Sequence, residues 1–180
     1  MHHDWLISAI ICLIEKNVQL ITRLFETKEY NAEGVYRLSL YVQGRWQTLT
    51  IDDYMPCSPH GTPFFASIAG STSIWLNVLE KAFAKVFNGY RYLEGGSAIE
   101  ALRMLTGSPL TSFCFADSSV EQLIDNQSMG LLIKDFLNKR SFVLVASTQP
   151  GGLFFKEKAN VPPGQQYTTQ NLDYGTQTTG

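Results

Sequence analysis

The strongest periodic signal in the chain runs from Ile74 to Phe87. There Ile74, Trp75, Val78, Leu79, Ala82, Phe83, Val86 and Phe87 fall on one helical stripe, with Asn77, Glu80, Lys81 and Lys85 off it. Asn88-Gly89 follows as a left-handed stop. A stripe this wide cannot bury itself, so another layer must cover it. Two segments are available for that cover. Asp4 to about Phe25 reads as a helix, with Leu6, Ile10, Leu13 and Ile14 on one face and Asp4 as its N-cap. After Gly34, Tyr36, Leu38, Leu40 and Val42 alternate with Arg37, Ser39 and Tyr41 as a half-buried strand, and Gln43-Gly44 turns it into a second run, Arg45 to Ile51. The parity of Trp46 disagrees with that of Leu49 and Ile51, which calls for a bulge or for cover on both faces.

The apolar run Leu6 to Ile14 is too short to span a bilayer. Asp4 rather than a basic residue precedes it and no small-x-small site follows, so a buried helix is expected in place of a signal peptide. Between Asp52 and Ser73, Pro56, Pro59, Gly61, Pro63 and Gly70 break any period, and a loop this long in a compact domain is often functional. Ser97-Ala98-Ile99-Glu100 is a capping box opening a short helix that closes at Gly107, and Ser118 to Glu121 opens another. Leu132, Ile133, Phe136 and Leu137 give a further helix ending at Lys139-Arg140, and Phe142 to Ala146 reads as a buried strand.

From Thr148 onward the chain is rich in Gly, Gln and Thr, carries Pro162-Pro163, and offers only Leu153 to Phe155 as an apolar run. A strand arriving at the end of a helical domain begins a second layer, yet no partner strands follow. The expected division is therefore 1–147 as one partial subdomain and 148–180 as the start of a second or a loose tail, the chain looking cut off there.

Composition narrows the function. With 180 residues, 44% hydrophobic, the chain can hold a core without disulfide staples. Fourteen Lys+Arg against 16 Asp+Glu, with no basic run, argue against a nucleic-acid partner. Cys12, Cys57 and Cys114 are odd in number and irregularly spaced, which suits reduced thiols inside the cell. Cys12 lies within an apolar helix, where burial raises a thiol pKa and lowers its reactivity. His2 and His3 sit at the extreme N-terminus, where an exposed position or a cloning-derived origin is weighed against any role. His60 is read as a solvated side chain in a Pro/Gly loop. Asp52-Asp53 follow a strand, but one pair supplies too few oxygens for calcium, and turn and cap duties are expected of them.

Taken in order, the landmarks say more. Asp4-Trp5-Leu6-Ile7-Ser8-Ala9-Ile10, Gly34-Val35-Tyr36, Gly44-Arg45-Trp46 and Ile51-Asp52-Asp53-Tyr54-Met55-Pro56 come first. Trp75 with Leu79-Glu80-Lys81-Ala82-Phe83-Ala84-Lys85, Asn88-Gly89-Tyr90, Gly95-Gly96 and Leu105-Thr106-Gly107 follow. From about Asp4 to Val145 this series resembles the protease core of the calpains, calcium-dependent intracellular cysteine endopeptidases. The resemblance implies an α+β, papain-like fold. In it, a helix-rich N-terminal subdomain carries a small antiparallel hairpin, and the second, β-barrel-like subdomain is largely missing here. It also implies a cytoplasmic protein that acts on protein substrates or binds protein partners, with no membrane segment.

In that family the nucleophilic Cys opens the first helix within Gly-Asp-Cys-Trp, where the helix dipole and a His lower its pKa. Trp5 aligns with that Trp, which places Asp4 at the Cys position and His3 and His2 at those of Asp and Gly. An alternative alignment matches Asp4 to the family's Asp and deletes the Cys. Either way the nucleophile is missing, and a carboxylate, ionised above about pH 4, is a far weaker nucleophile toward an amide. The family's oxyanion Gln would precede residue 1. Its His and Asn would follow residue 180, and no histidine comes after His60. The family's calcium ligand two positions before the helix-opening Trp is acidic; here it is Ser73, with Asp52 and Asp53 as the remaining candidates. The resemblance therefore implies calcium for the family, with at least one ligand changed in this chain. It yields two expectations: a calpain-type protease region inactive as given, or a non-catalytic binding or regulatory module.

Overall fold

In the computed structural model the apolar N-terminal run forms α1, Asp4–Lys16, and the helix does not continue to Phe25. Asn17 is extended (φ −168°, ψ 112°), and its N–H still bonds to the Leu13 carbonyl at 2.8 Å. Its Oδ1 takes the Gln19 N–H at 2.9 Å, a local side-chain bond that competes with helix continuation. A single turn, α2 (Gln19–Thr22), follows. The structure describes residues 3–61, 63, 64, 66, 73–115, 117–139 and 141–146, and two short strands beyond them.

Val35–Val42 (β1) and Arg45–Asp52 (β2) pair antiparallel from Val35↔Asp52 to Val42↔Arg45 without a bulge. Gln43 and Gly44 both have positive φ (51° and 80°), the conformation a two-residue hairpin turn requires. The unbroken register puts Tyr36, Leu38 and Leu40 on the inner face and Trp46 on the outer one. There Trp46 meets Tyr41 edge to face at 5.6 Å and lies against Gly107. No bulge intervenes, and Trp46 stays 48% exposed on the outer face, so its parity differs from that of Leu49 and Ile51 because it faces away from the core.

Trp75–Val86 forms α3, and Gly89 N–H to Ala84 O (2.7 Å) with Asn88 N–H to Lys85 O (3.4 Å) close it as a Schellman motif around left-handed Asn88. Burial extends beyond the expected stripe: Leu76, Asn77 and Glu80 are also buried, whereas Trp75 is only partly so. A 3₁₀ turn, Tyr90–Leu93, leads to α4 (Ala98–Thr106), capped by the Ser97 hydroxyl and ended by left-handed Gly107. Helices α1, α3 and α4 and the inner face of the hairpin share one core, in which Leu6, Leu13, Leu38, Leu40, Phe83 and Leu105 are fully buried. Helices α5 (Ser118–Asp125) and α6 (Ser128–Asn138) pair with each other, and their buried residues, Val120 and Met129, lie outside that core cluster.

The expected strand at Phe142 to Ala146 does not form. Val143 and Val145 pack on the core while Phe142 and Leu144 stay exposed, and Phe142 lies 4.7 Å from the Phe136 ring. Alternate residues still point inward, but no strand pairs with the segment among the described residues. The chain separates into two compact units, Met1–Val145 and Ala146–Gly180. In the second, Gln166–Tyr167 (β3) and Thr178–Thr179 (β4) make a short antiparallel pair; Leu153 to Phe155, Pro162-Pro163 and Gly70 lie outside the described residues. The architecture is α+β, helices around a small two-stranded antiparallel sheet. No helix among the described residues is long and apolar enough to cross a membrane.

Candidate functional site

The head of α1 is the position where the sequence expects chemistry. Asp4 is the first helical residue, not the cap; its side chain is exposed, with its charge at the positive end of the helix dipole. The cap position belongs to His3, whose carbonyl takes the N–H groups of Leu6 (3.0 Å) and Ile7 (3.1 Å). Trp5 is anchored inward. Its indole N–H donates to the Leu93 carbonyl at 2.9 Å, and its ring meets Phe83 and Phe87 edge to face at 6.3 and 6.2 Å. A Cβ on Gly96 would stand 2.3 Å from that ring, so only glycine admits the indole there.

His3 is not an exposed appendage. It is 6% exposed, and its Nδ1 lies 2.5 Å from Oε1 of Glu80, itself 1% exposed. The other Glu80 oxygen accepts the Ala66 N–H at 3.1 Å, and Asn77 Nδ2 donates to the Ala66 carbonyl at 2.6 Å. One buried carboxylate thus joins the head of α1, the middle of α3 and the loop before it. Nearby Tyr90 is pushed up to about 12, first by burial, then by the charges of Glu80 and Asp52. The sequence gives little warning of this cluster. Asn77 and Glu80 read as part of the polar side of α3 beside Lys81 and Lys85, and nothing local links them to a histidine 77 residues away.

Asp52 and Asp53 serve the loop. Asp52 Oδ1 lies 2.6 Å from Lys81 Nζ and accepts the Tyr54 N–H at 2.9 Å, and Lys81 also donates to the Tyr54 carbonyl. The Lys81 ammonium holds the Asp52 carboxyl below its ordinary range. Asp53 donates its N–H to the Gly34 carbonyl at 3.0 Å, and its carboxylate fills the space a Cβ on Gly34 would need. In this arrangement Lys81 holds Asp52, and Asp53 is turned toward Gly34. Among the described residues no three His, Cys, Asp or Glu side chains come together as a metal site. Ser73 is exposed, two residues before Trp75 at the start of α3.

None of the cysteines stands at the head of α1. Cys12 lies further along α1, half-buried, and burial pushes its thiol up. Cys57 is exposed in the loop, where it bridges to Pro63, and Cys114 is exposed beyond α4. His60 is exposed as well. The structure therefore gathers His3, Trp5 and Glu80, and leaves Asp4 at the surface.

Residues 2–158 match the family described as calpain family cysteine protease. A calpain-type cysteine protease of Zea mays is 40% identical over 103 residues, covering 57% of this chain and 5% of that protein. Calpain clp-1 of Caenorhabditis elegans is 34% identical over 112 residues, 61% of this chain and 14% of its own length. Calpain-9 of Homo sapiens is 29% identical over 174 residues, 94% of this chain and 24% of its own length. The chain thus spans a small part of the curated relatives it matches.

Proposed function

The chain belongs to the calpain family of cysteine proteases, and from that premise we propose that it is the helix-rich part of a calpain-type protease core lacking the nucleophile, so that by itself it hydrolyses no peptide bond. The observation that carries this reading is Asp4 at the head of α1, beside an anchored Trp5. The helix and its indole anchor are built as a nucleophile helix needs, and the reactive sulfur is replaced by a carboxylate. On the same reading residues 1–147 form the helical subdomain and 148–180 the start of the next. The three free cysteines suit a reducing compartment such as the cytoplasm.

A second reading, a non-catalytic module that binds proteins, is favoured by one feature: the Trp5 indole keeps its hydrogen bond to Leu93 and its ring contacts with Phe83 and Phe87 although Asp4 stands beside it. Both readings predict the same first result. The purified 180-residue protein should not cleave casein in calcium or in chelator, and a thiol-reactive peptide inhibitor should not block any residual activity. Calcium-dependent casein cleavage abolished by that inhibitor would overturn the proposal. Capture of a protein substrate without its cleavage would select the second reading.

A further inference from the structure

Between the left-handed end of α4 at Gly107 and the start of α5, eight consecutive residues, Ser108 to Phe115, are exposed. Their backbone is nearly unbonded. Among the described residues, the Ser108 N–H reaches the Thr106 hydroxyl and the Cys114 carbonyl takes the Asp117 N–H, and residues 109–113 have no backbone hydrogen bond at all. Three side chains in this stretch are large, apolar and exposed: Leu110, Phe113 and Phe115.

The loop before β1 exposes Tyr30 at 83%, but only residues 28–30 there lack backbone hydrogen bonds, since Thr27 N–H reaches the Arg37 carbonyl and Asn31 N–H the Tyr36 hydroxyl. The loop between β2 and α3 is different among its described residues. Its Tyr54 and Phe64 are more exposed than any of those three, at 83% and 63%. That backbone, however, is stitched down: Tyr54 N–H to Asp52, Tyr54 carbonyl to Lys81, Phe64 N–H to the Pro56 carbonyl, and Ala66 to Glu80 and Asn77. An endopeptidase must take about six residues in extended form into its cleft, so an unbonded backbone counts for more than an exposed ring.

We propose that Ser108 to Phe115 is a proteolytic processing site, read by endopeptidases that accept a large apolar side chain immediately before the cut. Water adds across one amide: the C–N bond breaks, the hydroxyl joins the carbonyl carbon as a new carboxyl group, and the released nitrogen takes the proton. The cut falls between two hydrophobic clusters. Every fully buried member of the main core lies at or before Leu105, whereas Val120 and Met129 belong to the α5–α6 pair. The N-terminal product therefore keeps its core and loses the covalent link to α5 and α6.

Brief digestion of the full chain with chymotrypsin, followed by intact-mass analysis, tests this. Within residues 1–145 the first cut should follow Leu110, Phe113 or Phe115, and replacing all three by Gly should slow that cut by about tenfold or more. A first cut in that unit anywhere else, after Tyr30, Tyr54, Phe64, Tyr92 or Phe142 for example, overturns the proposal. So does loss of the native far-ultraviolet dichroism of residues 1–107 at the moment the 108–115 segment is cut.

Discussion

Glu80 occupies the middle of a helix buried on most sides, and a carboxylate there is tolerable only because both oxygens are engaged, by His3 and by the Ala66 N–H. Removing one partner leaves a buried charge uncompensated. His3→Ala should lower stability to urea by about 3–5 kcal/mol, and a loss below about 1 kcal/mol would show that the pair does not hold the N-terminus. Asp52 is a contrasting case, since its carboxylate is half-exposed and its tie to Lys81 is worth less than about 1 kcal/mol. Its folded pKa is depressed, so its contribution is present above the unfolded value near pH 4 and is lost as pH falls through the lower folded value. Asp52→Asn should therefore be slightly less stable than wild type at pH 6. The two unfolding curves should converge as the pH approaches 2, and a gap that widens toward acid would contradict the assignment. At this scale the start of α1 near Asp4 was legible within a residue, although the cap proved to be His3 rather than Asp4. The His3–Glu80 pair was not, because burial is a property of the packed molecule and the two residues lie 77 positions apart.

At the scale of elements, patterns held where a local device enforced them. The Gln43-Gly44 turn, the Ser97 cap, the Gly107 stop and the Asn88-Gly89 stop all act within a few residues, and each element they bound is where the sequence places it. The two failures also have local physics. Asn17 ends α1 by taking the Gln19 N–H, a stop masked by the apolar pattern running past it. Phe142 to Ala146 has β-branched residues at strand spacing, yet strand status requires a hydrogen-bonded neighbour, which composition cannot supply. The junction of α1 with the turn before α4 rests on Gly96. Gly96→Ala forces a methyl into the Trp5 ring and should cost about 1–3 kcal/mol, with a change in tryptophan emission. An unaltered thermal midpoint would mean that the indole is not held there.

For the whole molecule, the order of weak landmarks along the chain already pointed to the calpain core, and the match over residues 2–158 establishes the family. Activity is a separate matter. The casein assay and the chymotrypsin digestion address different properties: one asks what the chain does to other proteins, the other where its own backbone is open. By itself the sequence determined the α+β class, the hairpin and most of the helices, since periodicity, caps and turn residues are local facts. Only the tertiary structure decided that His3 is buried against Glu80, that Lys81 pairs with Asp52, and that residues 108–115 lie open. Each of those depends on which distant groups are brought together or kept apart when the core closes, and no run of neighbouring residues encodes that.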